Sequence, residues 1–210
     1  MSMTKKIENV QGRTQTEVPV WEFPGKRVFA TSDTHFNHDN VIAYSKRPYA
    51  SVGAMNEALI ANWNAVVQPG DVVLHMGDVA MGDKTLLPKI LSRLNGDIYL
   101  VAGNHDNKRY DSLYKEAHWG GPVLLCHNGI YIEMLHRPHR LLGLGSLAFC
   151  GHVHNQWRAV KQGDRINAYV AGHRVDDATT AQRLVINVGV DVQGYTPVLV
   201  DTLLEESDVR

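Results

Sequence analysis

Cysteine is scarce: Cys126 and Cys150 are the only two in 210 residues. Two thiols cannot form a disulfide framework, and free thiols fit a reducing compartment, so a cytoplasmic setting is expected. An excess of charge is missing as well, because 21 basic residues meet 22 acidic ones for a net charge of −1. That balance argues against a protein that holds nucleic acid mainly by electrostatics. It leaves open one that engages phosphate through metal ions. No apolar run approaches ~18 residues, so no membrane span is expected. The opening MSMTKKIENVQGRTQ lacks the apolar stretch of a secretory signal. Ordinary contents of apolar residues, 44%, and of Gly, 18, and Pro, 8, exclude collagen-like, coiled-coil and wholly disordered chains.

Histidine is what the chain has in quantity. There are 11, more than the 4 Phe and 4 Trp together. Histidine is the commonest metal ligand and the usual acid–base residue near neutral pH. Surface scatter would be the bland explanation, and the positions decide.

The length suits one domain. Residues 26–205 are expected to form it, with 1–25, polar and weakly periodic, as a flexible or edge arm. Order is expected to start at Arg27-Val-Phe-Ala-Thr-Ser-Asp, a strand after Pro24-Gly25. Apolar residues at helical spacing run from Ala54 to Val67, before Pro69-Gly70. Asp71 to Gly77 reads as a buried strand and Asp83 to Leu94 as a second helix, with Pro88 its weak point. Asp97 to Ala102 is a strand and Asn107 to Ala117 a short helix. Pro122 to Cys126, Ile130 to Leu135, Leu147 to Cys150, Leu184 to Val188 and Pro197 to Val200 are further strands. Residues 155–183 read as a long loop or irregular hairpin. Alternating strands and helices followed by a strand-rich half predict an α/β sandwich of two sheets with helices outside.

The polar clusters fall directly after these strands: Asp33-Thr-His35, Gly77-Asp78, Gly103-Asn104-His105-Asp106, His136 and Gly151-His152-Val-His154. Ligands gather beyond the carboxyl ends of strands in open α/β sheets. Asp33 and His35 stand two apart, as do His152 and His154, so on extended backbone each pair points to one side. Two carboxylates, three or four imidazoles and one amide exceed the four ligands of a tetrahedral zinc. They suit two divalent ions sharing a carboxylate. Mixed N/O ligation without thiolate favours Mn, Fe, Zn, Co or Ni. Such two-metal sites clamp the attacking and leaving oxygens of a displacement at phosphorus. Taken singly, Asp-x-His occurs by chance and Gly-Asp is a common turn. Five such clusters in order, each at a strand end, do not read as chance.

The ordered set DTH…GD…GNHD…H…GHVH resembles the calcineurin-like metallophosphoesterase superfamily, and within it small bacterial and phage members. Thr31-Ser-Asp-Thr-His-Phe-Asn-His-Asp-Asn-Val-Ile is similar to their opening block. Ile186-Asn-Val-Gly-Val-Asp-Val-Gln-Gly-Tyr-Thr-Pro-Val is similar to their closing strand pair. The resemblance implies a four-layer αββα sandwich with two mixed sheets, and a metal-dependent phosphohydrolase. It implies two divalent ions, Mn²⁺ first, with Fe, Zn, Ni, Co or Mg as substitutes. Asp33, His35 and His154 would hold one ion, Asp78 would bridge, and Asn104, His136 and His152 would complete the other. His105 would be the general acid and a metal-bridging hydroxide the nucleophile. For the lone histidine, His136 in Met134-Leu-His-Arg-Pro138 is the choice, His127 the rival and His139 a third candidate. The protein Ser/Thr phosphatases of the superfamily carry Asp and Arg just after the bridging Asp. Met81 and Gly82 stand there instead, which argues against a protein-phosphatase role. Asp106 is a candidate to orient His105.

Arg137 and Arg140 flank His136, and arginine forks match phosphate oxygens. Arg137 and His38 are the substrate-contact candidates. The expected substrate is a phosphorylated small molecule, monoester or diester, such as a nucleotide. A DNA or RNA nuclease of the same superfamily is the alternative, disfavoured by the weak net charge. A non-catalytic interaction module is the third reading, and the complete ligand set argues against it.

Overall fold

The computed structural model describes residues 3–8, 15–142, 144, 147–162, 169–170, 173–174 and 183–207. In chain order the elements are β1 (Met3–Glu8), β2 (Gln15–Glu22), β3 (Val28–Thr31), α1 (Asp39–Tyr44), α2 (Val52–Val66) and β4 (Val72–His75). A 3₁₀ turn (Lys84–Leu86) leads into α3 (Leu87–Leu91), then β5 (Asp97–Val101), a second 3₁₀ turn (Lys108–Leu113) and β6 (Glu116–His118). There follow β7 (Val123–His127), β8 (Ile130–Met134), β9 (Leu147–Cys150), β10 (Ala159–Gln162), β11 (Tyr169–Val170) and β12 (His173–Arg174). The chain closes with β13 (Arg183–Asn187), β14 (Val198–Leu199) and α4 (Val200–Glu206).

Two mixed sheets stack face to face. The smaller has the order β14-β3-β4-β5-β6 and is parallel except at β14. The larger has the order β1-β2-β7-β8-β9-β13-β10, with β8, β9 and β13 parallel. Strands β3 and β4 are buried at every position, as strands covered on both faces must be. Their alternation sorts the core. Val28, Ala30, Val72 and Leu74 face Leu125, Ile132, Met134, Leu147 and Phe149 of the larger sheet. Phe29, Val73, Ile98 and Leu100 face Leu59 and Trp63 of α2 and Leu87 and Ile90 of α3. Each Val, Leu, Ile, Phe or Met among them contributes roughly 1.5–3 kcal/mol on burial. The outer face of the larger sheet carries Val18, Val20 and Leu124 in one patch, and Ala148, Cys150 and Val185 in another. Among the described residues, Leu141, Leu144 and Trp157 from loops pack on these patches, so side chains from loops form that outer layer.

Several elements differ from the sequence reading. Ordered structure appears before Arg27: β2 pairs in parallel with β7, and its Trp21 is 2% exposed in the inter-sheet core. The expected helix 83–94 is split into a 3₁₀ turn and the short α3, with Pro88 in the first helical turn. Proline lacks the N–H that a helix interior needs, but the first turn does not use it. The expected helix 107–117 is a 3₁₀ turn capped by the Asn107 side chain, followed by edge strand β6. Val200 opens helix α4 instead of ending a strand, and Leu203 and Leu204 bury the helix against the core. Parts of 1–25 and 155–183 lie outside the described residues. No described helix is long and apolar enough to cross a membrane.

Candidate metal centre

The carboxyl ends of β3, β4 and β5 in one sheet and of β8, β9 and β13 in the other meet at a common rim. Asp33 follows β3, Asp78 follows β4, Asn104 and His105 follow β5, His136 follows β8, and His152 and His154 follow β9. These ends are sewn together by backbone. Asp33 N donates to Gly77 O at 3.0 Å, His35 N to Asp78 O at 3.1 Å and Gly151 N to His136 O at 3.0 Å. Gly77 (φ +86°) lies so close to Gly103 that a Cβ on it would sit on the Gly103 backbone, and a Cβ on Gly103 would collide with Asp78. The glycines of Gly-Asp and Gly-Asn-His-Asp therefore let two strand ends approach with no side chain between them.

The sequence reading has Asp33/His35 and His152/His154 aligned by extended backbone. The structure aligns them differently. Asp33 (φ 55°), His35 (φ 49°), Asp78 (φ 57°), His152 (φ 71°) and His154 (φ 46°) all occupy the left-handed region. Non-glycine residues pay for that conformation, and such strain concentrates at functional sites. The two pairs converge because each residue turns the chain.

Two groups of three result. Asp33, His35 and His154 each offer a ligand atom within 4.8 Å of the others, and so do Asp78, His136 and His152. The Asp78 Oδ2 atom stands at the junction, 3.3 Å from His136 Nε2, 3.7 Å from His35 Nε2 and 4.0 Å from His105 Nε2. Asn104 Oδ1 lies 3.1 Å from His136 Nε2, which adds the amide to the second group. His35 Nε2 is 3.8 Å from Asp33 Oδ1, and both atoms are buried without a hydrogen-bond partner. Two ligands each ~2.0–2.2 Å from one ion stand roughly 3–4 Å apart, so these orphaned atoms fit a shared cation where they fit no hydrogen bond. The residues present thus suit divalent ions.

Each carboxylate spends its other oxygen on the scaffold. Asp33 Oδ2 accepts from His152 N at 2.9 Å, and Asp78 Oδ1 from His105 N at 2.9 Å. The imidazoles are aimed from behind. His136 Nδ1 donates to Met76 O at 2.7 Å and His154 Nδ1 to Asp191 Oδ2 at 2.8 Å, which leaves both Nε2 atoms for a metal. Asp191 in turn receives Arg47 Nε at 2.8 Å and Nη2 at 3.1 Å. Arg47 also donates to Asp33 O at 2.7 Å and Thr34 O at 2.9 Å, so one buried guanidinium ties the Asp33 loop to the His154 side.

Electrostatics follow from burial and the carboxylates. Burial pushes His35 down to about 2 and His152 down to about 4, holding both neutral, the form that ligates metal. Burial also raises Asp33. Burial alone would raise Asp78, but the His136 imidazole holds its carboxyl below the usual range. The reverse holds for His136: burial opposes its charge, yet the Asp78 and Asp33 carboxylates raise it to about 9.

The remaining candidates separate clearly. His127 ends β7 at the opposite rim from His136 and binds Asp201 Oδ1 at 2.8 Å, so it is remote from both groups. The His139 ring lies 6.4 Å from that of His152 and belongs to neither group. His38 flanks the first group, its Nδ1 3.4 Å from His35 Nδ1 and 3.3 Å from Tyr44 Oη. Arg137 Nε reaches Asn104 Oδ1 at 3.3 Å. His105 is partly exposed at the mouth, its ring 5.7 Å from that of His35. Asp106 does not serve His105 as expected, since its oxygens accept from Asp78 N, Gly103 N and Val79 N at 2.8, 2.8 and 3.0 Å. An immediate neighbour points away, and this one clamps the two ligand loops. Arg47 and Asp191 were missed by sequence reading. Asp191 sits inside the closing block Asn187-Val-Gly-Val-Asp191, which was the available signal, whereas nothing near Arg47 marks it.

The calcineurin-like phosphoesterase superfamily domain matches residues 27–193, and the chain belongs to that superfamily. The class so defined is that of phosphoester hydrolases. An uncharacterised protein of Methanocaldococcus jannaschii is 30% identical over 182 residues, covering 86% of this chain and 90% of its own. A protein of unknown function from Aquifex aeolicus has a similar solved structure, with a TM-score of 0.62 at 22% identity, covering 87% of this chain and all of that one.

Proposed function

We propose that the chain hydrolyses a small phosphoester, such as a nucleotide, with two divalent ions held by its rim residues. Asp33, His35 and His154 would bind one ion, Asn104, His136 and His152 the other, and Asp78 both. The observation that carries this reading is the single oxygen Asp78 Oδ2 placed between His35 Nε2 at 3.7 Å and His136 Nε2 at 3.3 Å. Lewis acidity and an acidified water are what such ions supply when bound. Mn²⁺ is the ion that the superfamily resemblance implies first, and the mixed N/O set without thiolate suits it as it suits Fe, Zn, Co or Ni.

The chain's own groups do the rest. Asp191 and Met76 O fix the tautomers of His154 and His136. His105 stands at the open side of the Asp78 carboxylate and donates a proton to the departing ester oxygen. Arg137 and His38 border the site from opposite sides and contact the phosphate or its substituent.

Hydrolysis of p-nitrophenyl phosphate and its bis-ester tests the reading. Activity should vanish with chelator and return with Mn²⁺. Hydrolysis that persists in the chelated protein overturns the proposal, and preferential cleavage of a labelled oligonucleotide replaces it with the nuclease.

A further inference from the structure

A groove of about 290 Å³, open to solvent, adjoins the rim on the second-metal side. Its volume stands at the lower bound of the ~300–1,000 Å³ of small-molecule sites. Asn104 and His136 are part of its lining, so it adjoins the second group of candidate ligands. Its lining includes Arg137 and Arg140, brought together by the 3₁₀ turn Pro138–Arg140, in which Arg140 N donates to Arg137 O at 3.0 Å. Trp119, Gly120, Gly121 and Pro122 line it as well. The Trp119 ring is tethered, its Nε1 donating to Asp111 Oδ1 at 2.9 Å with Lys108 Nζ 5.8 Å from the ring centroid. Gly120 and Gly121 add no side chain, so an indole ring and two guanidiniums are the large side chains of this lining. Among the described residues, no carboxylate lines the groove.

Two guanidiniums with no carboxylate beside them among the described lining residues select an anion beyond the one being hydrolysed, because their forks match phosphate oxygens. An indole wall selects a flat ring, since stacking on aromatic faces tolerates any base. We propose that this groove takes a second phosphate of the substrate on Arg137 and Arg140 with its heterocycle against Trp119, so that the substrate is a nucleoside carrying more than one phosphate. This rests on the hydrolase reading above. The reaction needs no co-reactant: a water oxygen bonds to phosphorus, the P–O ester bond breaks, and a proton goes to the departing oxygen.

The test compares kcat/KM of the Mn²⁺-loaded full chain for adenosine 3′,5′-bisphosphate, adenosine 5′-monophosphate, fructose 1,6-bisphosphate and a 5′-phosphorylated oligonucleotide. The nucleoside bisphosphate should exceed the monophosphate by ~tenfold or more, the scale of a charge-assisted contact. Arg140→Gln, at an exposed position, should collapse that ratio toward one. Trp119→Leu should instead collapse the preference for the nucleoside over the sugar bisphosphate. Ratios untouched by both variants, or a preferred oligonucleotide, overturn the groove assignment. Should no phosphoester be hydrolysed, the hydrolase reading fails by itself. Equilibrium dialysis of adenosine 3′,5′-bisphosphate then decides the groove: binding weakened in Arg140→Gln supports it, and no binding to the parent chain overturns it.

Discussion

Arg47 and Asp191 stand 144 positions apart and meet in a buried two-pronged ion pair, Nε to Oδ1 at 2.8 Å and Nη2 to Oδ2 at 3.1 Å. The pair is more than an ornament of the core. Its acid aims His154, and its base holds the carbonyls of Asp33 and Thr34.

Substituting Asp191→Asn should therefore weaken the first ion's site ~10–100-fold, the usual effect of removing a partner behind a ligating histidine. Binding at the His136 side should change little. Calorimetric titration with Mn²⁺ resolves the two steps, and an unchanged isotherm would remove Asp191 from the account. The fold should also lose stability, roughly 3–5 kcal/mol if Arg47 is left unpaired in the interior.

Gly103→Ala is predicted to damage the site without touching a ligand. A Cβ there has no room beside the Asp78 side chain and backbone, so the junction carboxylate must move. Loss of Mn²⁺ stoichiometry with a retained circular dichroism spectrum is the expected outcome.

Proton release should accompany metal binding. In the metal-free chain His136 is raised to about 9 from a free value near 6.5. Its proton stabilises the fold fully below pH ~6.5, and that contribution fades as pH rises through about 9. A cation must displace the proton, so affinity should rise with pH from about 7 to 9. Calorimetry in two buffers of different ionisation heat measures the released proton directly. Equal apparent heats in both would contradict it.

His75 makes the opposite contribution. It is fully buried, and burial pushes it to about 3. Thr34 Oγ1 donates to Val79 O at 2.8 Å, so His75 Nε2, 3.0 Å from that hydroxyl, is the donor and the ring is neutral. The unfolded chain takes up this proton near pH 6.5 and the folded chain does not until about 3, so stability drains as pH falls between them. His75→Gln should flatten that part of the urea-midpoint profile, even if it lowers the midpoint at pH 7.

Much of this was legible in the sequence because the chemistry sits in short blocks at strand ends. Asp33, His35, Asp78, His136, His152 and His154 are brought together where the strand order sends them. What stayed hidden depends on partners far away in the chain. Trp21 is buried through a parallel pairing of β2 with β7, about a hundred residues later, which leaves no periodic trace in a polar segment. Arg47 looks like any surface arginine until Asp191 arrives. The left-handed turns at the ligands were also invisible, since Asp and His do not advertise that backbone as glycine does.

Metal analysis joined to anomalous diffraction from crystals grown with Mn²⁺ decides whether the rim residues hold a pair of ions. Two ions per chain are expected, ~3.5–4 Å apart, one against Asp33, His35 and His154, the other against Asn104, His136 and His152, with Asp78 touching both. A loaded crystal with no anomalous peak among these residues, or with a single ion that Asp78 does not touch, would contradict that arrangement.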